Sequence, residues 1–187
     1  MAIAIDGDGT ITGISVGGLP DGIVDADMIA AGAVTAAKRG AGAILQIVQA
    51  TANTEVSITS TTYTDIGLSA SITPSSSSNK VLVLANVQVY CSRGGNQGAG
   101  VKVLRDSTQI YISVEDGTGP YEIYSASSSI GGRFTLNQLD SPATTSAITY
   151  KLQGRPYTNA SSGRADFFDS GNNQQGTGTL ILMEIAA

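Results

Sequence analysis

Hydrophobic and polar residues alternate most strictly over residues 80–90, where Val81, Val83, Ala85, Val87 and Val89 fill every odd position. The even positions begin with Leu82 and Leu84 and turn polar at Asn86 and Gln88 before Tyr90. A period of two rich in β-branched side chains predicts a strand. One of its faces lies in a sheet-on-sheet core along its whole length, and the other is covered only at its start. Shorter stretches repeat the pattern at 44–49, 55–59 and 65–72, the last with Ile66, Leu68, Ala70 and Ile72 inward. Residues 101–105 and 109–114 predict a hairpin around Asp106-Ser107. Further strands are expected at 121–124, 132–136, 147–153 and 166–168, and a continuously apolar one at 178–185 closes the chain. Gly-rich or Ser-rich loops are expected at 75–78, 94–100, 115–120 and 159–163. Roughly nine to eleven short strands at even spacing predict an all-β fold, an antiparallel β-sandwich of the jelly-roll kind. Its first and last strands are expected to pair near the middle of one sheet, which brings both ends to one side.

The first 43 residues read differently. Ile3, Ile5 and Ile11 flank the turn dipeptides Asp6-Gly7 and Asp8-Gly9, which predicts a short hairpin or an extended arm. Asp-Gly-Asp-Gly-Thr-Ile also resembles the middle of a calcium loop. With Gly9 as the turn glycine, however, the first ligand falls on Ala4 and the bidentate twelfth on Ser15, so no metal site is expected. Asp21-Gly22-Ile23-Val24-Asp25-Ala26 then aligns with Ala31-Gly32-Ala33-Val34-Thr35-Ala36, and Gly42-Ala43-Ile44 starts a third copy. Asp25 or Asp27 caps a short helix through Met28 and Ile29, or the segment stays extended. So few large side chains do not fold alone. The segment is either a linker or a stem that packs with sister chains around an axis. The expected organisation is an anchor and stem at 1–43 and a sandwich head at 44–187.

Composition narrows the function. A net charge of -5 with 13% charged residues argues against a nucleic-acid surface. The absence of histidine removes the commonest general base and most transition-metal sites. Cys91 is the single cysteine, so no internal disulfide forms, and a small buried hydrophobe is its expected role. No apolar run approaches the ~20 residues of a membrane helix, so no membrane insertion is expected, and no secretory signal is visible. No catalytic residue, cofactor or metal is expected, and the protein is not expected to be an enzyme. The nearest approach to catalysis is Asp166 and Asp169 around Phe167-Phe168, a spacing that a glycosidase dyad, as in a small polysaccharide depolymerase, also shows. It is read here as the rim of an aromatic turn, and Asp116 and Asp140 as turn caps. In the polar loops, Tyr157, Asn159, Asn172, Asn173 and Gln174 are candidate glycan contacts.

Several stretches together resemble a known family. Asp8-Gly9-Thr10-Ile11 followed by the repeats at 21–24 and 31–35 is similar to the stems of bacteriophage fibre proteins. Residues 64–74, the Ser run and Lys80-Val81-Leu82-Val83 are similar to phage virion proteins with a C-terminal sandwich head, and residues 179–185 fit the last strand of such heads. The resemblance implies a virion fibre protein: a homotrimer with a jelly-roll head similar to the tumour necrosis factor fold. Residues 1–43 would attach it to a tail or capsid protein. A tail fibre that meets a host-surface glycan is the expected role, with a capsid decoration protein or head fibre as the alternative. In such a trimer Leu82 and Leu84 are the candidate subunit interface.

Overall fold

The computed structural model of the chain describes residues 4–5, 11–12, 31, 33–34, 38–92, 97–113, 123–126, 129–157, 163–169 and 176–187. The chain divides into two units, Met1–Arg39 and Gly40–Ala187, each described by itself. In the first, β1 (Ala4–Ile5) and β2 (Ile11–Thr12) pair antiparallel, with Ala4 opposite Thr12 and Ile5 opposite Ile11. This is the hairpin that the Asp-Gly dipeptides predict. The first repeat, at 21–26, lies outside the described residues.

The second unit is an antiparallel sandwich. Its strands are β3 (Ile44–Ala52), β4 (Val56–Ile58), β5 (Thr64–Ile72), β6 (Lys80–Ser92), β7 (Gln97–Arg105) and β8 (Thr108–Ile112). They continue with β9 (Ile123–Ser125), β10 (Ile130–Asp140), β11 (Ile148–Pro156), β12 (Arg164–Phe167) and β13 (Gly178–Ile185). One sheet is built on β6. Strand β10 pairs with residues 81–91 of one edge, while β13 pairs with 80–87 and β12 with 89–92 of the other. At the junction Phe168 N–H donates to the Gln88 carbonyl and Gln88 N–H donates to the Thr177 carbonyl. Thus β12 and β13 form one long strand that breaks off after Phe168 and resumes at Thr177. Strands β4 and β3, which pair with β12 and β13, are interrupted at the same level by residues 53–55. The second sheet runs β5-β11-β7, with β8 and β9 sharing the far edge of β7. With each interrupted strand counted once, both sheets have four strands, and the chain alternates between them as a jelly roll does.

Alternation decides what lies between the sheets. Val81, Val83, Val87, Val89 and Cys91 of β6 are fully buried against the inward residues of the second sheet, including Ile66, Val101, Val103, Tyr150 and Leu152. Each large apolar side chain so buried contributes about 1.5–3 kcal/mol. Phe134, Phe167 and Phe168 are buried in the same core. Cys91 is the expected buried hydrophobe: burial first, then the nearby Asp166 charge, push its thiol pKa up to about 12.

Several expectations need correction. The expected loop at 94–100 is strand from Gln97 onward, because Ala99 reaches the core and the flanking glycines leave room for the Ile123 carbonyl and the Tyr63 ring. Strand β11 runs past the expected 147–153 to include Arg155 and Pro156. Asp140 is not a turn cap. It accepts two hydrogen bonds from Arg105 Nη1, at 2.8 and 2.7 Å, and one from the buried Tyr150 hydroxyl at 2.7 Å. Burial and that bond raise the Tyr150 pKa. The first and last strands do pair, but β3 is an edge strand and only β13 is interior. Gly42 N–H donates to Ala186 O and Ala186 N–H to Ala43 O, so the start and end of this unit lie side by side.

Glu184 also breaks the apolar pattern, since β13 points it inward and leaves it 1% exposed. Its carboxylate accepts from Gln46 Nε2 at 2.6 Å, Ser75 N at 2.6 Å, Ser75 Oγ at 2.8 Å and Asn79 Nδ2 at 2.6 Å. One side chain thereby ties β3, the turn before β6 and the last strand together. Burial raises its pKa, but the donors outweigh burial and the pKa is lowered from 4.5. A group with a depressed folded pKa stabilises above its unfolded pKa, and that stability is lost as pH falls through the folded value. Glu184→Gln should therefore cost about 2 kcal/mol in denaturant unfolding at pH 7. The gap from the parent should shrink progressively as pH drops below about 4.5.

Candidate functional site

The head has two outer faces of different chemistry. On the sheet built on β6, outward residues align across all four strands. Ile47 is opposite Met183, Met183 opposite Leu82, and Leu82 opposite Leu139. The next row is Gln49, Ile181, Leu84 and Asn137, and the row beyond it is Thr51, Thr179, Asn86 and Thr135. Ile47 is 59% and Leu139 49% exposed, while Leu82, Leu84, Ile181 and Met183 are half-buried. A shallow depression lined by Leu84, Asn86, Thr135, Asn137, Thr179 and Ile181 lies on this face. These three rows carry no charged side chain. The sequence pattern singles out Leu82 and Leu84; the structure adds Ile47, Ile181, Met183 and Leu139. Those four become neighbours only through strand register, which no local pattern encodes.

The outer face of the second sheet is aromatic and cationic towards the start of β7. Gly98, Gly100 and Lys102 alternate with the buried Ala99 and Val101, and Arg155 of β11 is opposite Gly100. A Cβ on Gly100 would lie 2.8 Å from the Tyr63 hydroxyl, and one on Gly98 3.4 Å from Tyr157 and 3.5 Å from Tyr124. Gly100 therefore leaves room for Tyr63, while at Gly98 the Ile123 carbonyl of β9, 2.7 Å from a Cβ there, leaves no space for a side chain. Lys102 Nζ is 4.8 Å and Arg155 Cζ 5.3 Å from the Tyr63 ring centroid, both within cation–π range. The Tyr124 and Tyr157 rings are 5.3 Å apart and tilted at 59°. Of the candidate glycan contacts, Tyr157 lies here beside β9; Asn159, Asn172, Asn173 and Gln174 lie outside the described residues, as does Asp116. Sequence reasoning missed Tyr63 and Tyr124, whose only signal is the glycine at every second position of a strand.

The structure does bring Asp166 and Asp169 together. Because β3/β4 and β12/β13 are interrupted at one level, Glu55 joins them, and the three offer carboxylate oxygens within 4.8 Å of one another. Hard oxygen donors of this kind suit calcium or magnesium. Here, however, Asp166 Oδ2 accepts from Arg164 Nε and is 2.7 Å from Arg164 Nη2, while Ser57 Oγ lies 2.5 Å from Oδ1. The guanidinium supplies the positive charge inside the protein. Asp166 is 0% exposed, so a sugar has no approach to it, and the arrangement reads as a structural ion pair rather than a hydrolytic dyad.

The chain matches no protein-family model and no curated protein. Among solved structures it is similar to the VP2 subviral particle of infectious bursal disease virus, at 13% identity and a TM-score of 0.39, covering 76% of this chain and 37% of that one. A structure of the Gx strain of the same virus is similar at 15% identity and a TM-score of 0.37, covering 76% of this chain and 38% of that one. The chain thus spans well under half of either neighbour. Likeness at this level carries no argument about function, and the sandwich rests on its own strand pairing.

Removing one partner of a buried ion pair leaves the other charge uncompensated. Arg164→Met should therefore destabilise the head by about 3 kcal/mol in denaturant unfolding, and pairing it with Asp166→Asn should recover part of that loss.

Proposed function

We propose that the chain is a structural component of a bacteriophage virion: a homotrimeric fibre joined through residues 1–43 to a tail or capsid protein. Its head, on this reading, meets a glycan of the host surface through Tyr157, Asn159, Asn172, Asn173 and Gln174. The observation that carries the reading is the uncharged apolar band across the first sheet. An exposed, contiguous apolar patch marks a surface that another molecule covers. A second and third copy of the chain suit this one. The band has no carboxylate in a chain of net charge -5, so identical faces meet without repulsion. It also includes Ile47 of β3, the strand that directly follows the repeats at 21–43. The resemblance of those repeats to phage fibre stems supports the virion role.

The first test is the mass of the native protein in solution, expected at three times 19.0 kDa. Leu84→Asp should shift it to the monomer, because an unpaired charge in a desolvated contact costs on the order of 3 kcal/mol or more. Ile47→Asp should do the same, and its 59% exposure leaves the protomer core untouched. Variants that stay trimeric with an unchanged melting midpoint would remove the interface. Deletion of residues 1–43 is expected to give a soluble head that no longer joins particles; truncated heads on virions would refute the anchor. Copy number per particle assigns the position: a few copies for a tail fibre, tens to hundreds for capsid decoration.

A further inference from the structure

We propose that the tyrosine platform on the outer face of the second sheet is a saccharide-binding surface, with Tyr124 and Tyr157 as its stacking residues. The inference rests on the reading that the head engages a glycan, and it moves the contact from the loops to the sheet itself. Three features of the platform point to a sugar. The rings are presented and not buried: Tyr124 is 43% exposed, and Tyr157 and Tyr63 are half-buried. They are held by the sheet, because Gly100 leaves room for Tyr63 beside the backbone, the Tyr124 and Tyr157 rings pack 5.3 Å apart, and two cations sit against the Tyr63 ring. A ring with only two side-chain torsions, already held, loses little entropy on binding. Hydrogen-bonding groups lie on the same face: Lys102 Nζ sits against the Tyr63 ring and Lys102 pairs in register with Gln153, whose Nε2 donates to Asp65 Oδ1 at 2.6 Å.

A pyranose has the complementary chemistry. One of its faces is a patch of C–H groups that an electron-rich phenol ring attracts, and its rim is hydroxyls that both donate and accept. Amide, ammonium and carboxylate groups beside an aromatic surface match that rim. An apolar helix would need an aliphatic groove, which this pair of tilted rings does not offer. Single-stranded nucleic acid also stacks on aromatics, but it requires a positive groove along its backbone, and the chain's charge is -5.

The test screens the purified full chain on a glycan array and titrates the strongest hit by calorimetry. The double variant Tyr124→Ala/Tyr157→Ala follows, with its melting midpoint recorded. Tyr124→Phe, which keeps the ring, and Gln49→Ala, on the opposite face, serve as controls. Expected are binding of at least one saccharide, a loss of tenfold or more in the double variant, and near-parent affinity in both controls. Affinity unchanged in the double variant overturns the platform and leaves glycan recognition standing elsewhere on the head. No saccharide bound by the intact chain overturns both. Tighter binding of a single-stranded oligonucleotide than of any saccharide overturns the ligand class. If the double variant unfolds, the single Tyr124→Ala variant decides by the same affinity criterion, because that exposed ring lies outside the core.

Discussion

The head depends on one backbone constraint: a thirteen-residue strand, β6, whose two edges are both paired almost from end to end. A strand with one buried face and two occupied edges leaves no peptide group without a partner, and the sheet around it must keep its register. Its neighbours are less regular than it is. The chain that returns along its second edge departs at Phe168 and rejoins at Thr177, and the next strand outward departs at the same level. The two interruptions fall side by side, so the acidic group of Glu55, Asp166 and Asp169 follows from strand geometry. Arg164 and Ser57 then neutralise and bind Asp166, as a buried carboxylate requires.

Glu184 solves a related problem at the other end. An inward glutamate in the last strand would cost several kcal/mol without partners. With four hydrogen bonds it becomes a clamp among β3, the turn at 73–79 and β13. Asn79 takes part twice, since its Oδ1 also accepts from the backbone of Ala187 at 3.2 Å. Polar groups thus secure the end where this unit starts and finishes, and apolar packing secures the middle. The outer faces then divide the remaining work. The band across the first sheet offers aliphatic and neutral polar side chains, with Arg133 beside it on Asn86. The second offers rings, cations and amides, a surface suited to a ligand that comes and goes.

The odd-position valines of β6, the inward set Ile66, Leu68, Ala70 and Ile72, and the hairpin at Asp106 were legible because each is a local period or turn signal. All-β class and sandwich architecture follow from such signals alone. A loop was over-assigned at 97–100, and β11 was expected to stop short of Arg155, because glycine, asparagine and arginine carry loop statistics. In the fold, Gly98 accommodates the Ile123 carbonyl, Gly100 makes room for Tyr63, and Arg155 lies against Tyr63. Asp140 looked like a cap for the same reason, since its partners Arg105 and Tyr150 lie on other strands of the chain.

The order of residue types along the chain by itself determined which positions face inward, roughly where the strands lie, and that histidine chemistry is absent. Only the tertiary structure decided which outward residues become neighbours. Ile47, Met183, Leu82 and Leu139 come from four separate strands, and Tyr124 of β9 meets Tyr157, which follows β11. The physical reason is that side-chain alternation is written within each strand. Lateral register depends on backbone hydrogen bonding between segments far apart in the chain, as where Ala186 N–H donates to Ala43 O.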